Sequence, residues 1–194
     1  MYSRANEKNV NSSVFIWLIY ALWFIVVMYL TISGLSVKRD TERHLGQSFG
    51  LLFAIIVSFL LPHVPIFRFL NFVPLNPIAS VVGVILCVGG MVLLVWARQK
   101  LDRNWSQTVS AKEGHELVTS GPYRCIRHPM YAGGLVAAIG SAIVCGGAWI
   151  FLLILLSALF LWRVGAEDKL MAQQFPNEYP EYRRRTKKLI PFVW

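Results

Sequence analysis

The sequence predicts an all-α, multi-pass membrane protein with five transmembrane helices, and three observations carry that prediction. Hydrophobic residues fill 56% of the 194 positions and charged residues only 15%, which is too apolar for a soluble domain of this size. The apolar residues gather into runs long enough to cross about 30 Å of hydrocarbon as helices. The formal charge of +9 is confined to the segments between those runs. Basic edges on an apolar body fit a membrane protein better than a nucleic-acid binder, so no nucleic-acid partner is expected.

The elements follow in order. Val14 to Leu35 is an uncharged run behind the polar flank of Arg4, Glu7 and Lys8. No small-residue cleavage pattern follows it, so it is read as an anchored first helix. Phe49 to Phe72 is the second span, and its Pro62 and Pro65 predict a bend near His63. The third, Ile78 to Ala97, follows Pro77, and its Gly83, Gly89 and Gly90 permit close helix approach. After the polar stretch Arg98 to His128, the run Met130 to Val164 is apolar for about twice one span. Gly146-Gly147 near its middle predicts that the last two membrane helices form a short hairpin. The tail from Gly165 to Trp194 mixes aromatic and basic residues, among them Phe175, Tyr179, Tyr182 and Arg183-Arg184-Arg185, and reads as a C-terminal helix lying at the interface. Residues 1–194 are read as one membrane domain, with three N-terminal spans over 1–97 and the chemistry-bearing half over 98–194.

Five spans place the loop of Lys38, Arg39 and Arg43, the Arg98–His128 segment and the C-terminus on one side. That side holds nearly all the basic residues, so it is expected to be cytoplasmic with the N-terminus outside.

Polar chemistry concentrates in Ser120–Gly134, where two arginines, a histidine, two tyrosines and two prolines abut an apolar run. Pro129 suits the first turn of a helix, and Tyr131, three residues after His128, stands over the same turn. With Arg127 and Tyr123 nearby, His128 reads as a ligand contact more than as a satisfied structural residue. Arg163 closes the last apolar run, and Glu167 four residues on shares its helix face. Ionisable groups at such depth usually mark a functional path, although an arginine at a helix end also snorkels to headgroups. Cys87, Cys125 and Cys145 lack paired spacing, and packing is the expected role of Cys125. His44, His63, His115 and His128 do not fall at metal-ligand spacings, so no metal is expected. There is no phosphate-binding loop, no dinucleotide fingerprint and no nucleophile elbow.

The stretch His115-Glu116-Leu117-Val118-Thr119-Ser120-Gly121-Pro122-Tyr123, followed by Arg127-His128-Pro129-Met130-Tyr131-Ala132-Gly133, resembles the isoprenylcysteine carboxyl methyltransferase family. Glu167, then Phe175, Tyr179 and Tyr182, then a basic run and Pro191, continue the resemblance in order across Arg98 to Trp194. The resemblance implies that S-adenosyl-L-methionine is held by His115, Glu116, Leu117, Val118, Tyr123, His128, Pro129, Met130, Tyr131 and Glu167. It implies that Arg163 is the substrate-contacting, catalytic arginine. Gln107 is a further candidate, and Glu167-Asp168 stands where the family often has paired glutamates.

The implied reaction methylates the α-carboxylate of a C-terminal prenylated cysteine. Such a carboxylate has a pKa of about 3.5 and is already ionised at neutral pH, so no general base is needed. The lipid substrate is expected to enter from the bilayer and S-adenosylmethionine from the cytoplasm. Three other readings stay open: a methyltransferase for another lipid such as a phospholipid amine, an NADPH-dependent sterol-type reductase, and a non-enzymatic protein using its basic tail for membrane contact. The short chain suggests a prokaryotic source, for which the cell membrane is the expected location.

Overall fold

The structure, a computed structural model, describes residues 2–35, 76–102 and 117–190. The second expected span and its bend near His63 lie outside the described residues. The helices are α1 (Tyr2–Leu35), α2 (Pro77–Leu101), α3 (Pro129–Cys145), α4 (Gly147–Gln174) and α5 (Tyr179–Arg185), with a 3-10 turn at Gly121–Arg124 before α3. Val14–Ser33, Pro77–Leu101 and Trp149–Gln174 are each long and apolar enough to cross a membrane, and Pro129–Cys145 is a shorter apolar helix. Ile78, Ile85, Val92, Ile154 and Trp162 stand exposed along them, as bilayer-facing side chains must.

Local chemistry sets the helix ends. At the start of α2 the Asn76 side chain accepts a hydrogen bond from the Ile78 amide at 3.0 Å, and Pro77 occupies the first turn. At its other end Arg98 is buried and donates to the Ser33 carbonyl at 2.8 Å and the Asp102 carbonyl at 3.1 Å. One guanidinium thus ties the ends of α1 and α2 together.

The most extensive packing joins α2 to α3. A Cβ on Gly140 would lie 2.3 Å from the Gly83 carbonyl oxygen, and one on Gly90 only 2.4 Å from the Ala137 nitrogen. The two backbones therefore touch where side chains would hold them apart. A Cβ on Gly89 would meet nothing within 4 Å among the described residues, so Gly89 takes no part in the approach of α2 to α3. Trp23 of α1 pins the same bundle by donating to Ser141 Oγ at 2.9 Å, while Ser141 donates back to the Ala137 carbonyl at 2.8 Å.

α3 ends at Cys145, Gly146 turns the chain at φ 63°, and α4 begins at Gly147. α4 continues past the apolar run to Gln174. Its charged residues Glu167 and Asp168 find partners, so the helix breaks only at Phe175, where Pro176 disfavours helical geometry. α5 buries Tyr179 and Tyr182 and exposes Arg183, Arg184 and Arg185. Beyond it the chain pairs with the loop before α3: Arg127 N–H donates to Lys187 O at 2.8 Å, Lys187 N–H to Cys125 O at 3.1 Å, and His128 N–H to Lys188 O at 3.1 Å. The tail expected to lie on the interface is docked on the protein.

Candidate active site at the edge of α3 and α4

Three local features build the site. Gly121, at φ 60°, starts the 3-10 turn where a Cβ would meet the Lys100 side chain at 3.0 Å. Pro129 then opens α3, and His128 stands at its N-cap in non-helical backbone, with φ -124° and ψ 58°. On α4, the spacing of Arg163 and Glu167 places both on the face toward α3.

Glu167 is the centre of the accessible half. Arg163 Nε donates to Glu167 Oε1 at 3.0 Å, and the Tyr131 hydroxyl donates to the same oxygen. Tyr131 is held upright by Phe160, 4.9 Å away between ring centres. The side chains of Arg163 and Glu167 remain 31% and 25% exposed, so a ligand can reach both. Behind them His128 is 7% exposed, with Nδ1 3.5 Å from Glu167 Oε2 and Nε2 2.9 Å from Asp168 Oδ1. Burial alone favours the neutral imidazole, but the hydrogen bonds to Asp168 and Glu167 outweigh it and raise the His128 pKa above its ordinary value.

Asp168 is the centre of the buried half. Its Oδ1 also accepts from the Tyr179 hydroxyl and faces Arg127 Nε at 3.4 Å, while Lys188 Nζ lies 3.9 Å from Oδ2. Arg127 further donates through Nη1 to the carbonyls of Thr186 at 2.7 Å and Arg183 at 3.2 Å. Tyr182 donates to the Tyr123 carbonyl at 2.8 Å. Burial pushes the Tyr123, Tyr179 and Tyr182 hydroxyls up, and for Tyr179 the Asp168 carboxylate adds to it, so all three stay neutral, and Tyr179 and Tyr182 act as donors.

Of the residues expected from the sequence, Arg163, Glu167, Tyr131 and His128 converge here. Pro129 and Tyr123 are buried beside them, while Met130, Leu117 and Val118 are half-buried. His115 and Glu116, and Gln107 with them, lie outside the described residues. His128 is turned to two protein carboxylates. Cys125 is exposed and does not pack, because the tail pairs with its backbone and leaves the side chain outside. The partners of Asp168 were not read from the sequence. The spacing of Tyr179 and Tyr182, which puts both on one face of a short helix, is a signal that points to one of them, Tyr179. Among the described residues no group of three or more His, Cys, Asp or Glu side chains is placed to hold a metal ion.

Apolar helices long enough to cross a membrane, with a charged cluster where α3 begins and α4 leaves its apolar stretch, define an integral membrane protein. A family model described as phospholipid methyltransferase matches residues 78–178, which run from α2 to the turn before α5. The protein-S-isoprenylcysteine O-methyltransferase of Saccharomyces cerevisiae is 26% identical over 206 residues, covering 100% of this chain and 84% of that protein. The enzyme of the same name from Schizosaccharomyces pombe is 31% identical over 115 residues, 56% of this chain and 47% of its own length. The solved structure of a eukaryotic intramembrane Ras methyltransferase, isoprenylcysteine carboxyl methyltransferase, shares the fold. Its TM-score is 0.53 and its identity 24%, over 79% of this chain and 55% of that one. The chain belongs to the phospholipid methyltransferase family and is a methyltransferase.

Proposed function

We propose that the protein transfers the methyl group of S-adenosyl-L-methionine to the α-carboxylate of a C-terminal prenylated cysteine at the membrane. The observation that carries this reading is the reachable Arg163–Glu167 pair, backed by buried groups that fix it. A carboxylate substrate needs a cation, and a guanidinium matches carboxylate geometry. A cofactor bearing sulfonium and ammonium charges needs an anion, and Glu167 offers one with Tyr131 hydrogen-bonded to it. The donor set therefore fits the cofactor.

When bound, S-adenosylmethionine supplies an electrophilic methyl group on sulfur. The residues of this chain supply orientation. Arg163 holds the carboxylate in line, and because it already shares its charge with Glu167 it does not fully quench the nucleophile. Phe160 and Tyr131 shield the site from water, which would otherwise solvate the carboxylate and blunt its attack. His128 keeps its protons toward Glu167 and Asp168 and takes no part as a base. His115, Glu116, Leu117, Val118, Tyr123, Pro129 and Met130 complete the proposed cofactor wall.

The chain is proposed to span the membrane five times and to end in a hairpin of α3 and α4. The basic loops and C-terminus are then cytoplasmic, so the cofactor enters from the cytoplasm and the prenyl chain from the bilayer. The test is methyl transfer from labelled S-adenosylmethionine to a farnesylcysteine analogue by purified protein in detergent, beside phosphatidylethanolamine as competitor substrate. Base-labile methyl ester on the farnesylcysteine is the expected product. Methylation of the phospholipid amine alone would replace this reading, and failure to bind S-adenosylmethionine would sink it.

A further inference from the structure

Asp168 has no task in the chemistry proposed above, yet it gathers donors from three separate parts of the chain. His128 and Arg127 reach it from the loop, Tyr179 from α5, and Lys188 from the segment after α5. Among the described residues its buried Oδ2 has no hydrogen-bond partner, and the Lys188 ammonium lies 3.9 Å from it. Its neighbour Glu167 looks the other way, toward Tyr131 and Arg163.

His128 stands between the two carboxylates with one ring nitrogen toward each. A neutral imidazole carries one N–H and can serve only one of them, whereas the imidazolium serves both. The negative charge of Asp168 therefore favours the form of His128 that also supports Glu167.

We infer that Asp168 is a positioning residue for methyl transfer: it holds His128 against Glu167 and makes residues 175–190 part of that support. The inference rests on the reading of Glu167 as a cofactor contact. The charged and titratable groups around His128 are Glu167 and Asp168 on α4, Tyr131 on α3 and Arg127 beside it. Tyr179 on α5 and Lys188 after it reach His128 through Asp168. Losing a carboxylate that merely stapled the tail would weaken the protein equally at both pH values tested. One that acts through His128 makes its loss depend on pH.

The experiment uses the full chain in detergent and measures S-adenosylmethionine affinity by calorimetry at about pH 6 and about pH 8.5. Wild type and Asp168→Glu should change less than about threefold between the two, whereas Asp168→Asn should weaken by about tenfold more at the higher pH. Equal loss at both pH values, no loss, or an Asp168→Glu variant as pH-sensitive as Asp168→Asn would overturn the inference. Should Asp168→Asn fail to fold, Tyr179→Phe leaves the His128–Asp168 pair in place and loosens only the tail. It should speed amide exchange over residues 182–189 and lower cofactor affinity about threefold. Faster exchange with unchanged affinity would show that the tail gives no support. A wild type that binds S-adenosylmethionine without methylating farnesylcysteine would overturn the substrate reading alone, and the affinity test of Asp168 would still decide.

Discussion

Replacing Arg127 by lysine should release the C-terminal segment from the loop before α3 while keeping a positive charge beside Asp168. The guanidinium reaches Thr186 O at 2.7 Å, Arg183 O at 3.2 Å and Asp168 Oδ1 at 3.4 Å, three acceptors that one ammonium cannot span. Hydrogen bonds to a charged group contribute about 1.5–3 kcal/mol each, and the longer contacts fall at the lower end. Losing the two carbonyl bonds therefore costs about 3 kcal/mol. The Arg127 side chain is only 6% exposed, so solvent screening trims that little. At about 1.4 kcal/mol per tenfold, the tail should open roughly 100-fold more often. Amide hydrogen exchange in detergent reads this at the three paired amides, Arg127, His128 and Lys187, where rates should rise by that factor. Amides within α2 and α3 serve as the internal control. Exchange at the three amides within about threefold of wild type would show that the backbone pairing holds the tail without the fork.

Arg163→Ala should lower turnover about 100-fold or more while changing S-adenosylmethionine affinity less than about threefold, since it removes the carboxylate clamp and spares the cofactor wall. Unchanged turnover would mean that Arg163 only snorkels. Glu167→Ala should weaken cofactor binding by about tenfold in calorimetry, and an unaltered affinity would contradict its role. Gly140→Ala should lower the melting temperature by roughly 5 °C, because its Cβ would meet the Gly83 carbonyl oxygen and push α2 from α3, whereas Gly89→Ala should leave it unchanged. The raised pKa of His128 gives stability that is fully present below the unfolded value of about 6.5 and is lost as pH rises through the folded value. Wild type should therefore lose melting temperature relative to His128→Asn between about pH 6 and about pH 9, and parallel curves would refute the coupling.

What the sequence made legible was local. The apolar runs marked the helices because hydrocarbon imposes a length on them, and Pro77, Pro129 and Gly146 marked ends because their backbone limits act where they stand. Arg163 and Glu167 were found together because one helical turn brings them together whatever the rest of the chain does. The bond from Arg127 to Thr186 spans 59 positions and that from His128 to Asp168 spans 40. No periodicity links such partners. The docking of the tail on the loop through backbone amides is less legible still, since any sequence carries amides.

The pair Glu167-Asp168 shows the limit most sharply. In the sequence it is a single acidic step where the resembled family often has paired glutamates. Successive residues on an α-helix point about 100° apart, so the two carboxylates must face different neighbours. Glu167 looks toward α3, where Tyr131 and Arg163 meet it and a ligand can reach it. Asp168 looks toward the loop and the tail, where Arg127 and Tyr179 bury it. His128 touches both. The division of labour is therefore set by helix geometry, and the histidine is the group through which a change on the buried side reaches the exposed one. Asp168 is thereby the support of Glu167.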